Sequence, residues 1–499
     1  MGLKSWISKI LAKKAAKRVN LWASNAISRQ NEVMRYLINK ATNTEFGKDH
    51  SFSSIHSYED FKKHIPIRDY EGLKPYIEKL IEGESDVLWR GKPIYFSKTS
   101  GTTSGAKYIP ITRESMPHHI QATKNALFLY IAETNRAHFV DGKMIFLQGS
   151  PKLDEISGIP TGRLSGIVAH HVPRYLQGNR LPSFETNTIE DWETKVSAIV
   201  EETKRQPMSL ISGIPSWVQH YFEKLIETTG KETIREVFPT FSLFVYGGVN
   251  YEPYRPRFEK LIGGRVDSIE TYPASEGFIA FQSEQGDKSL LLNVNAGIFF
   301  EFIPADEYFN ENPTRLSLED VEIGKNYALI LSTDAGLWGY SIGDTVKFTS
   351  LDPPKILVTG RIKHFTSAFG EHVIAEEVEG AMEEALKDHD AGVIEFHVAP
   401  QLNPKEGLPH HEWLVSFSNP PKDMDAFAKQ LDQSMQRRNI YYADLIKGKI
   451  LNPLNITSLS PNAFNEFMKE RGKLGGQNKV PRLSDNRENA DILRKWQES

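Results

Sequence analysis

The chain of 499 residues contains no cysteine. This absence excludes disulfide bonds, a thiolate nucleophile and metal sites built on cysteine. No apolar run reaches the roughly 18 residues that a transmembrane helix needs. The formal net charge is −4, which gives no support to nucleic-acid binding. We therefore expect a cytoplasmic protein with no stable membrane insertion and no nucleic-acid partner.

Pairs of adjacent histidines are the one pattern that suggests a metal site. They occur at 118–119, 170–171 and 410–411. Adjacent residues point to different sides of a helix or strand, and no pair has the H-x-x-x-H spacing of a zinc motif. We predict no zinc site, and we keep His170 and His171 as candidates to line a substrate pocket.

The first eighteen residues are basic and contain no acidic side chain. Apolar residues alternate with Lys4, Lys9, Lys13, Lys14, Lys17 and Arg18. The pattern predicts an amphipathic helix. We favour a helix that is docked on the protein or frayed over one that lies on a membrane.

Apolar periodicity divides the chain near residue 361 into two domains, 1–361 and 362–499. The length exceeds what one ordinary core supports. Runs at 143–149 and 242–248 predict buried strands in an α/β layer arrangement, and close strand-like runs at 288–350 predict a mainly antiparallel sheet or a barrel-like subdomain. After the boundary, a helix, two strands and a second helix predict a small α+β domain.

Residues 99–107, TSGTTSGAK, have the composition of a polyphosphate-binding loop. Glycines allow close approach of the backbone, hydroxyls and N–H groups donate to phosphate oxygens, and Lys107 adds a positive charge. The P-loop pattern fails, because Ala106 and Tyr108 stand where it requires glycine and serine or threonine. A flexible linker is the alternative, but apolar segments bound the run on both sides.

Four further motifs carry candidate chemistry, although each alone is compatible with an ordinary loop. TYPASEG (271–277) offers an aromatic face for a base, a hydroxyl on Ser275, and Glu276 as a ligand for Mg²⁺. GYSIGD (339–344) offers Asp344 for the two hydroxyls of a ribose. TGRIKHF (359–365) offers Arg361 for phosphate or ribose and Lys363 as a hinge. GGQNKVPR (475–482) places Lys479 in a polar loop.

Taken in order, these motifs resemble the adenylate-forming superfamily of acyl-CoA synthetases, luciferases and adenylation domains. The chain is most similar to the acyl-acid amido synthetases, which conjugate auxin or jasmonate to amino acids and have bacterial members. The closer resemblance lies in TEFGKDHSF (44–52), SYEDFKKHIPIRDYEGLKPYIEKL (57–80), YFSKTSGTTSGAKYIPIT (95–112), FFEFIP (299–304) and QNKVPR (477–482). It extends from about residue 32 to residue 485, most of the chain.

The resemblance implies an ATP site and a mobile small domain. The ATP phosphates would lie under a loop formed by Thr99, Ser100, Gly101, Thr102, Thr103, Ser104 and Lys107. Gly247 and Gly248 would pass beside adenine and Tyr272 would stack on it, with Ser275 nearby, Asp344 on the ribose and Arg361 reinforcing the nucleotide. Glu276 would help to hold Mg²⁺, and Lys479 would approach the acyl carboxylate and the α-phosphate after rotation about Lys363. Gly370 would lie on the face that the small domain presents in the second half-reaction.

The implied activity is ATP-dependent adenylation of a small carboxylic acid, followed by amide formation with an amino acid or another amine. Two alternatives stay open: an acyl-CoA ligase that uses the same adenylate, and a non-catalytic, nucleotide-gated binding protein. The sequence departs from the family pattern around YPASEG and lacks the arginine that commonly follows the tyrosine of GYSIGD. Both departures leave Glu276 and Asp344 in place, so they bear on the identity of the substrate. The sequence leaves open the acid, the amine and the oligomeric state.

Overall fold

The computed structural model describes residues 2–102, 105–172, 177–248, 251, 255–362, 365–366, 369, 371, 373–471 and 482–498. Its contacts divide the chain into two units. The first comprises Met1–Thr99, Lys107–Ile189 and Val196–Ile362, and the second comprises Ser100–Ala106, Glu190–Lys195 and Lys363–Ser499. The predicted fold class, a large N-terminal α/β domain with a smaller C-terminal domain, is confirmed.

The helices described up to residue 262 belong to the first unit, apart from the first turn of the helix Trp192–Thr203. Local capping explains several of their ends: Ser57 and Asp60 form a capping box at the helix Tyr58–His64, and Gly230 ends the helix Pro215–Thr229 in the left-handed conformation. The helices are α1 (Leu3–Ala23), α2 (Ala26–Ala41), α3 (Glu45–Asp49), α4 (Tyr58–His64), α5 (Tyr70–Ile81), α6 (Met116–Thr134), α7 (Leu164–Ala169), α8 (Phe184–Asn187), α9 (Trp192–Thr203), α10 (Pro215–Thr229), α11 (Ile234–Val237) and α12 (Arg255–Ile262).

One sheet of eleven strands forms the centre of the first unit, in the order β12-β13-β14-β15-β11-β10-β9-β8-β7-β3-β6. Its strands are β3 (Lys143–Leu147), β6 (Arg180–Leu181), β7 (Met208–Gly213), β8 (Leu243–Gly247), β9 (Asp267–Ala274), β10 (Gly277–Gln282), β11 (Leu290–Leu292), β12 (Ile298–Pro304), β13 (Asn326–Thr333), β14 (Tyr340–Leu351) and β15 (Pro354–Arg361).

The sheet changes from parallel to antiparallel at β9. Strands β6, β3, β7, β8 and β9 are mutually parallel, whereas every pairing from β9 through β10 to β12 is antiparallel. The strands predicted within residues 288–350 therefore belong to the same sheet as the parallel strands. The sequence left open a mainly antiparallel sheet or a barrel-like subdomain for these strands, and the structure shows an antiparallel sheet. Helix α6 packs on β9 and β10, and α1 packs on α6.

A smaller sheet carries the glycine-rich motif. It consists of β2 (Gly105–Ile111), β1 (Tyr95–Thr102), β5 (Ile159–Gly162) and β4 (Asp154–Ile156), in that order. Strand β1 is parallel to β5, with Phe96 opposite Thr161. Strands β1 and β2 are neighbours in this sheet, and the strand that leads into the glycine-rich run extends further than the sequence predicted.

The second unit has the predicted helix–strand–strand–helix core. Strands β18 (Gly392–Gln401) and β19 (His410–Asn419) are antiparallel, and β20 (Asn455–Leu459) is parallel to β19. Val378 and Met382 on one predicted helix, and Phe427, Leu431 and Met435 on the other, are all buried. The remaining elements are β16 (Phe365–Thr366), β17 (Val373–Ile374), α13 (Ala375–Asp388), α14 (Met424–Arg438), α15 (Ile440–Lys447), α16 (Ala463–Glu470) and α17 (Glu488–Leu493).

A buried carboxylate ties the end of the chain to this small sheet. Glu412 on β19 is fully buried. Its oxygens accept hydrogen bonds from Arg487 at 2.7 Å, from Arg494 at 2.7 Å and from Thr457 at 2.6 Å. Two guanidinium groups therefore compensate the negative charge of the buried Glu412 carboxylate.

None of the helices in the described parts of the chain has both the length and the apolar composition of a membrane span.

Candidate functional site

Two glycines end a parallel strand at the centre of the large sheet. Gly247, the last residue of β8, lies opposite Thr271 of β9. A Cβ atom on Gly247 would stand 2.3 Å from the Thr271 carbonyl oxygen, and Gly248 has a φ of +81°. The backbone can therefore leave β8 close to β9 only with glycine at these positions. Open α/β sheets bind ligands at this edge, the carboxyl ends of the parallel strands.

Tyr272 and Asp344 meet beside the glycine pair. Tyr272 follows Thr271 on β9, and its phenol donates a hydrogen bond to Oδ2 of Asp344 on β14. Asp344 is buried, with 7% of its surface exposed. Across the β14–β15 ladder, the backbone position opposite Asp344 is Arg361. The hydrogen bond thus brings together the carboxyl half of β9 and the amino half of β14, two segments that are distant in sequence.

Glu276 is held by a buried tyrosine. It lies in the turn between β9 and β10, and the phenol of Tyr340, the first residue of β14, hydrogen-bonds to it. Tyr340 is 1% exposed. Its burial, with the charge of Glu276 beside it, holds the pKa of Tyr340 well above its usual value. The phenol therefore keeps its proton and acts as the donor to the Glu276 carboxylate.

Ser275 connects the same turn to β1. Its hydroxyl lies 2.8 Å from the hydroxyl of Ser97 on β1. Ser97 is fully buried, so its position on β1 fixes that of the Ser275 hydroxyl. The turn that carries Glu276 is therefore held on one side by Tyr340 and on the other by Ser97.

An aromatic ring supports Lys107. The Lys107 ammonium lies 5.6 Å from the centre of the Tyr70 ring, within the range of a cation–π contact. The Tyr70 hydroxyl also accepts a hydrogen bond from the backbone N–H of Tyr108 at 3.0 Å, and burial raises the pKa of Tyr70. The first residue of α5 therefore fixes both the lysine and the strand behind it.

The donor set at this edge fits a magnesium ion better than a zinc ion. Within the described ranges, no three His, Asp or Glu side chains converge on one point. Mg²⁺ is usually held by one or two carboxylates together with phosphate oxygens, and Glu276 supplies one carboxylate in a fixed position. The residues present therefore fit an ion that arrives with a polyphosphate.

Most of the predicted site residues in the described chain lie around the Tyr272–Asp344 and Tyr340–Glu276 hydrogen bonds. Gly247, Gly248, Tyr272, Ser275, Glu276, Asp344 and the backbone of Arg361 come together as described above. Thr99, Ser100, Gly101 and Thr102 lie on β1, and Lys107 lies on β2. Thr103, Ser104, Lys363, Gly370 and Lys479 fall outside the described residues.

The adjacent histidines contact different partners. His118 lies 3.1 Å from Oδ2 of Asp334, whereas His119 is buried, and this burial lowers its pKa to about 4. The His170 ring lies 2.8 Å from the Pro151 carbonyl oxygen, and the His171 ring lies 3.1 Å from the Tyr95 hydroxyl. The two rings of each of these pairs thus lie in different surroundings.

Sequence reasoning missed three residues that position this site. Tyr340 lies within GYSIGD, a motif singled out for its aspartate, so a buried aromatic residue in that motif was the available signal. Ser97 is next to the glycine-rich run but was assigned only to the strand that leads into it. Tyr70 lies 37 positions before Lys107 in the sequence, and no local pattern connects them.

Solved structures share this arrangement of the chain. An acyl acid amido synthetase, AtGH3.15 in complex with 2,4-DB, superposes with a TM-score of 0.62 at 17% identity, over 98% of this chain and 96% of that chain. A 2-hydroxyisobutyryl-CoA ligase, in complex with 2-HIB-AMP and CoA, gives a TM-score of 0.57 at 14% identity, over 94% and 91%. The fold is the one shared by adenylate-forming amido synthetases and CoA ligases.

Family models identify the chain more narrowly. Models of the GH3 family N-terminal, central and C-terminal domains match residues 15–197, 291–361 and 376–488. The chain belongs to the GH3 family, as predicted. An indole-3-acetic acid-amido synthetase, GH3.3 of Arabidopsis thaliana, is 23% identical over 91% of this chain and 88% of its own length. A jasmonoyl–L-amino acid synthetase, GH3.5 of Oryza sativa subsp. japonica, is 21% identical over 93% of both.

Proposed function

We propose that the protein activates a small carboxylic acid with ATP and transfers the acyl group to the amine of an amino acid. Membership in the GH3 family confirms the predicted class of enzyme, an adenylate-forming acid–amino acid ligase. The observation that carries the assignment of residues is the cluster at the carboxyl edge of β8 and β9, where Tyr272 bonds Asp344 and Tyr340 bonds Glu276.

The adenosine would bind between the glycine pair and Tyr272. Gly247 and Gly248 leave room for the base, and the tyrosine ring stacks on it. Asp344 accepts hydrogen bonds from the ribose hydroxyls, since a carboxylate has more acceptor positions than the one that the Tyr272 phenol uses. The Tyr272–Asp344 hydrogen bond sets the distance between the stacking ring and the ribose acceptor before the nucleotide arrives.

The phosphates would lie between Glu276 and the glycine-rich run at residues 99–107. Magnesium, held by Glu276, would offset the negative charge of the phosphate oxygens. Lys107, supported by Tyr70, adds a cation, and the hydroxyls and N–H groups of residues 99–104 act as donors. Together these groups lower the repulsion between two anions that must approach each other.

Adenylation joins the acid to the nucleotide. A carboxylate oxygen attacks the α-phosphorus of ATP, a new P–O bond forms, the bond to the bridging oxygen breaks, and pyrophosphate leaves. Lys479 would stabilise the charge that develops on the α-phosphate and the carboxylate, with Ser275 and Arg361 reinforcing the nucleotide. One such donor contributes about 3–4 kcal/mol.

Amide formation uses the activated acyl group. The amine nitrogen attacks the acyl carbon, a C–N bond forms, the bond to AMP breaks, and the amine loses a proton. We propose that residues 362–499 move about Lys363 between the two half-reactions, which is gating by a domain hinge. The predicted cytoplasmic location stays a prediction.

The experiment first measures activation of the acid and then identifies the acceptor of the acyl group. We would supply ATP, Mg²⁺ and a panel of small acids, measure pyrophosphate release, and then add amino acids or CoA and identify the product by mass spectrometry. We expect acid-dependent release and an acyl-amino acid. A thioester without an amide would make the protein a CoA ligase. Nucleotide binding without release for any acid would support the binding-protein alternative.

A further inference from the structure

Helix α1 is docked on the first unit along its length. Ala12, Val19 and Trp22 are buried on its inner side, where it packs on α6. Its start is held by polar contacts: the Gly2 N–H donates to Asp141 at 3.1 Å, and the Ser5 hydroxyl donates to the Ala137 carbonyl at 3.1 Å. The inner side therefore accounts for the attachment of the helix to the body of the protein.

The opposite side of α1 is also apolar, and it faces solvent. Its members recur with the i, i+3, i+4, i+7 spacing of one helix face. This outer face consists of Leu3 (74% exposed), Trp6 (54%), Ile7 (42%), Ile10 (41%) and Leu11 (45%). A contiguous exposed apolar surface of this kind marks an interaction site, and core formation does not require it.

Cations border the outer face. Lys13, Lys14 and Lys17 are exposed, and α1 contains no acidic residue. Lys4 and Arg18 bind the protein itself, through the side-chain oxygens of Asn179 and Asn125, at 3.1 Å and 3.2 Å. Lys4 and Arg18 thus help to dock the helix. Lys13, Lys14 and Lys17 are exposed beside the large apolar side chains of the outer face.

We propose that the outer face of α1 binds the surface of an anionic lipid bilayer, with the docked helix lying in the plane of the membrane. Tryptophan and branched apolar residues enter the interfacial layer, and lysines on the same face attract anionic headgroups. A second copy of the chain is a poorer occupant. In a symmetric dimer this face would meet itself, which would bring lysines against lysines with no acid in the helix to offset them.

The test uses the full-length protein and vesicles of defined lipids. We expect the protein to sediment with phosphatidylcholine vesicles that contain about 30% phosphatidylserine, to sediment weakly with phosphatidylcholine alone, and to lose binding as salt rises. Trp6→Ser/Ile10→Ser removes apolar contact, and Lys13→Glu/Lys14→Glu/Lys17→Glu reverses the charge. Each variant should lower the partition coefficient about tenfold or more.

The matched control reverses three exposed lysines elsewhere, Lys231→Glu/Lys260→Glu/Lys405→Glu. It has the same net charge as the α1 charge variant and should keep most of the binding, and thermal unfolding checks that every variant is folded. Absence of sedimentation with the anionic vesicles would overturn the proposal. So would equal losses in the control and the α1 variants. Light scattering that gives a dimer for the wild type and a monomer for Trp6→Ser/Ile10→Ser would assign the face to self-association instead.

Discussion

The phenol of Tyr272 donates a hydrogen bond to the carboxylate of Asp344, and this bond joins β9 to β14 across the candidate nucleotide site. The two residues are separated by β10, β11 and β15 in the order of the sheet. The bond brings the carboxyl half of β9 to the amino half of β14. It couples the residue proposed to stack on adenine to the residue proposed to bind ribose.

Tyr272→Phe should weaken ATP binding and leave the stacking ring in place. The variant loses a hydrogen bond to a charged group, a contribution of about 1.5–3 kcal/mol, so we expect the dissociation constant for ATP to rise about tenfold or more. Isothermal titration of ATP measures it. Tyr130→Phe is the control, because the Tyr130 phenol donates to Asp267, at the other end of β9, at 2.7 Å. Equal effects of the two variants on ATP binding would contradict the assignment.

Tyr340→Phe should raise the magnesium concentration needed for half-maximal pyrophosphate release. The phenol that orients Glu276 is lost, and we expect a shift of about three- to tenfold, in line with a hydrogen bond to a charged group. Tyr308→Phe removes a neighbouring hydroxyl, which lies 2.7 Å from that of Ser341, and should leave the magnesium dependence unchanged. An unchanged magnesium dependence in Tyr340→Phe would remove Tyr340 from the positioning of Glu276.

Lys479→Ala should abolish acid-dependent pyrophosphate release while ATP binding stays nearly intact. The lost cation acts mainly on charge that develops in the transition state, so a decrease of about 10²–10³-fold in rate is expected. Single-turnover release and ATP titration separate the two effects. Lys473→Ala, in the same stretch of sequence, is the control. Undiminished pyrophosphate release in Lys479→Ala would contradict the role proposed for Lys479.

His119 should make folding sensitive to acid. Burial lowers the pKa of His119 to about 4 in the folded protein, from an ordinary value of 6.5. Between these values the unfolded chain binds a proton that the folded chain does not, so stability falls as the pH drops from 6.5 towards 4. At pH 5 the loss should be about 2 kcal/mol.

The check compares unfolding of the wild type and His119→Gln at pH 7.5 and pH 5. We expect the wild type to lose more stability on acidification, because the glutamine does not titrate. His138→Gln changes an exposed histidine and should behave like the wild type. Parallel losses in the wild type and His119→Gln would show that other groups cause the acid sensitivity.

Local patterns in the sequence predicted the elements and the family but not the connections between strands. The strands at 143–149 and 242–248, and the buried helix faces of the small domain, follow from periodicity within short windows. The junction of β11 with β15 does not, because it pairs Leu290 with Ile356 and no local pattern encodes that contact. This pairing joins β9, β10 and β11 to β12, β13, β14 and β15 in one sheet.

The same limit applies to the candidate site. Motifs and resemblance predicted Tyr272, Glu276 and Asp344, since each lies in a recognisable sequence motif. The hydrogen bonds that hold them involve Tyr340 and Ser97, which are distant in sequence from their partners. For α1, the sequence showed apolar residues and lysines, but only the fold separates the docked side from the outer face.

The compensation of Glu412 by Arg487 and Arg494 has a consequence for how the protein can be shortened. A chain that stopped after residue 471 would lack both arginines and leave a fully buried carboxylate uncompensated, which costs several kcal/mol. Loss of activity in such a fragment would report a failed fold and would reveal nothing about Lys479. Incomplete translation products that end before Arg487 are accordingly expected to be less stable than the full chain and more easily proteolysed.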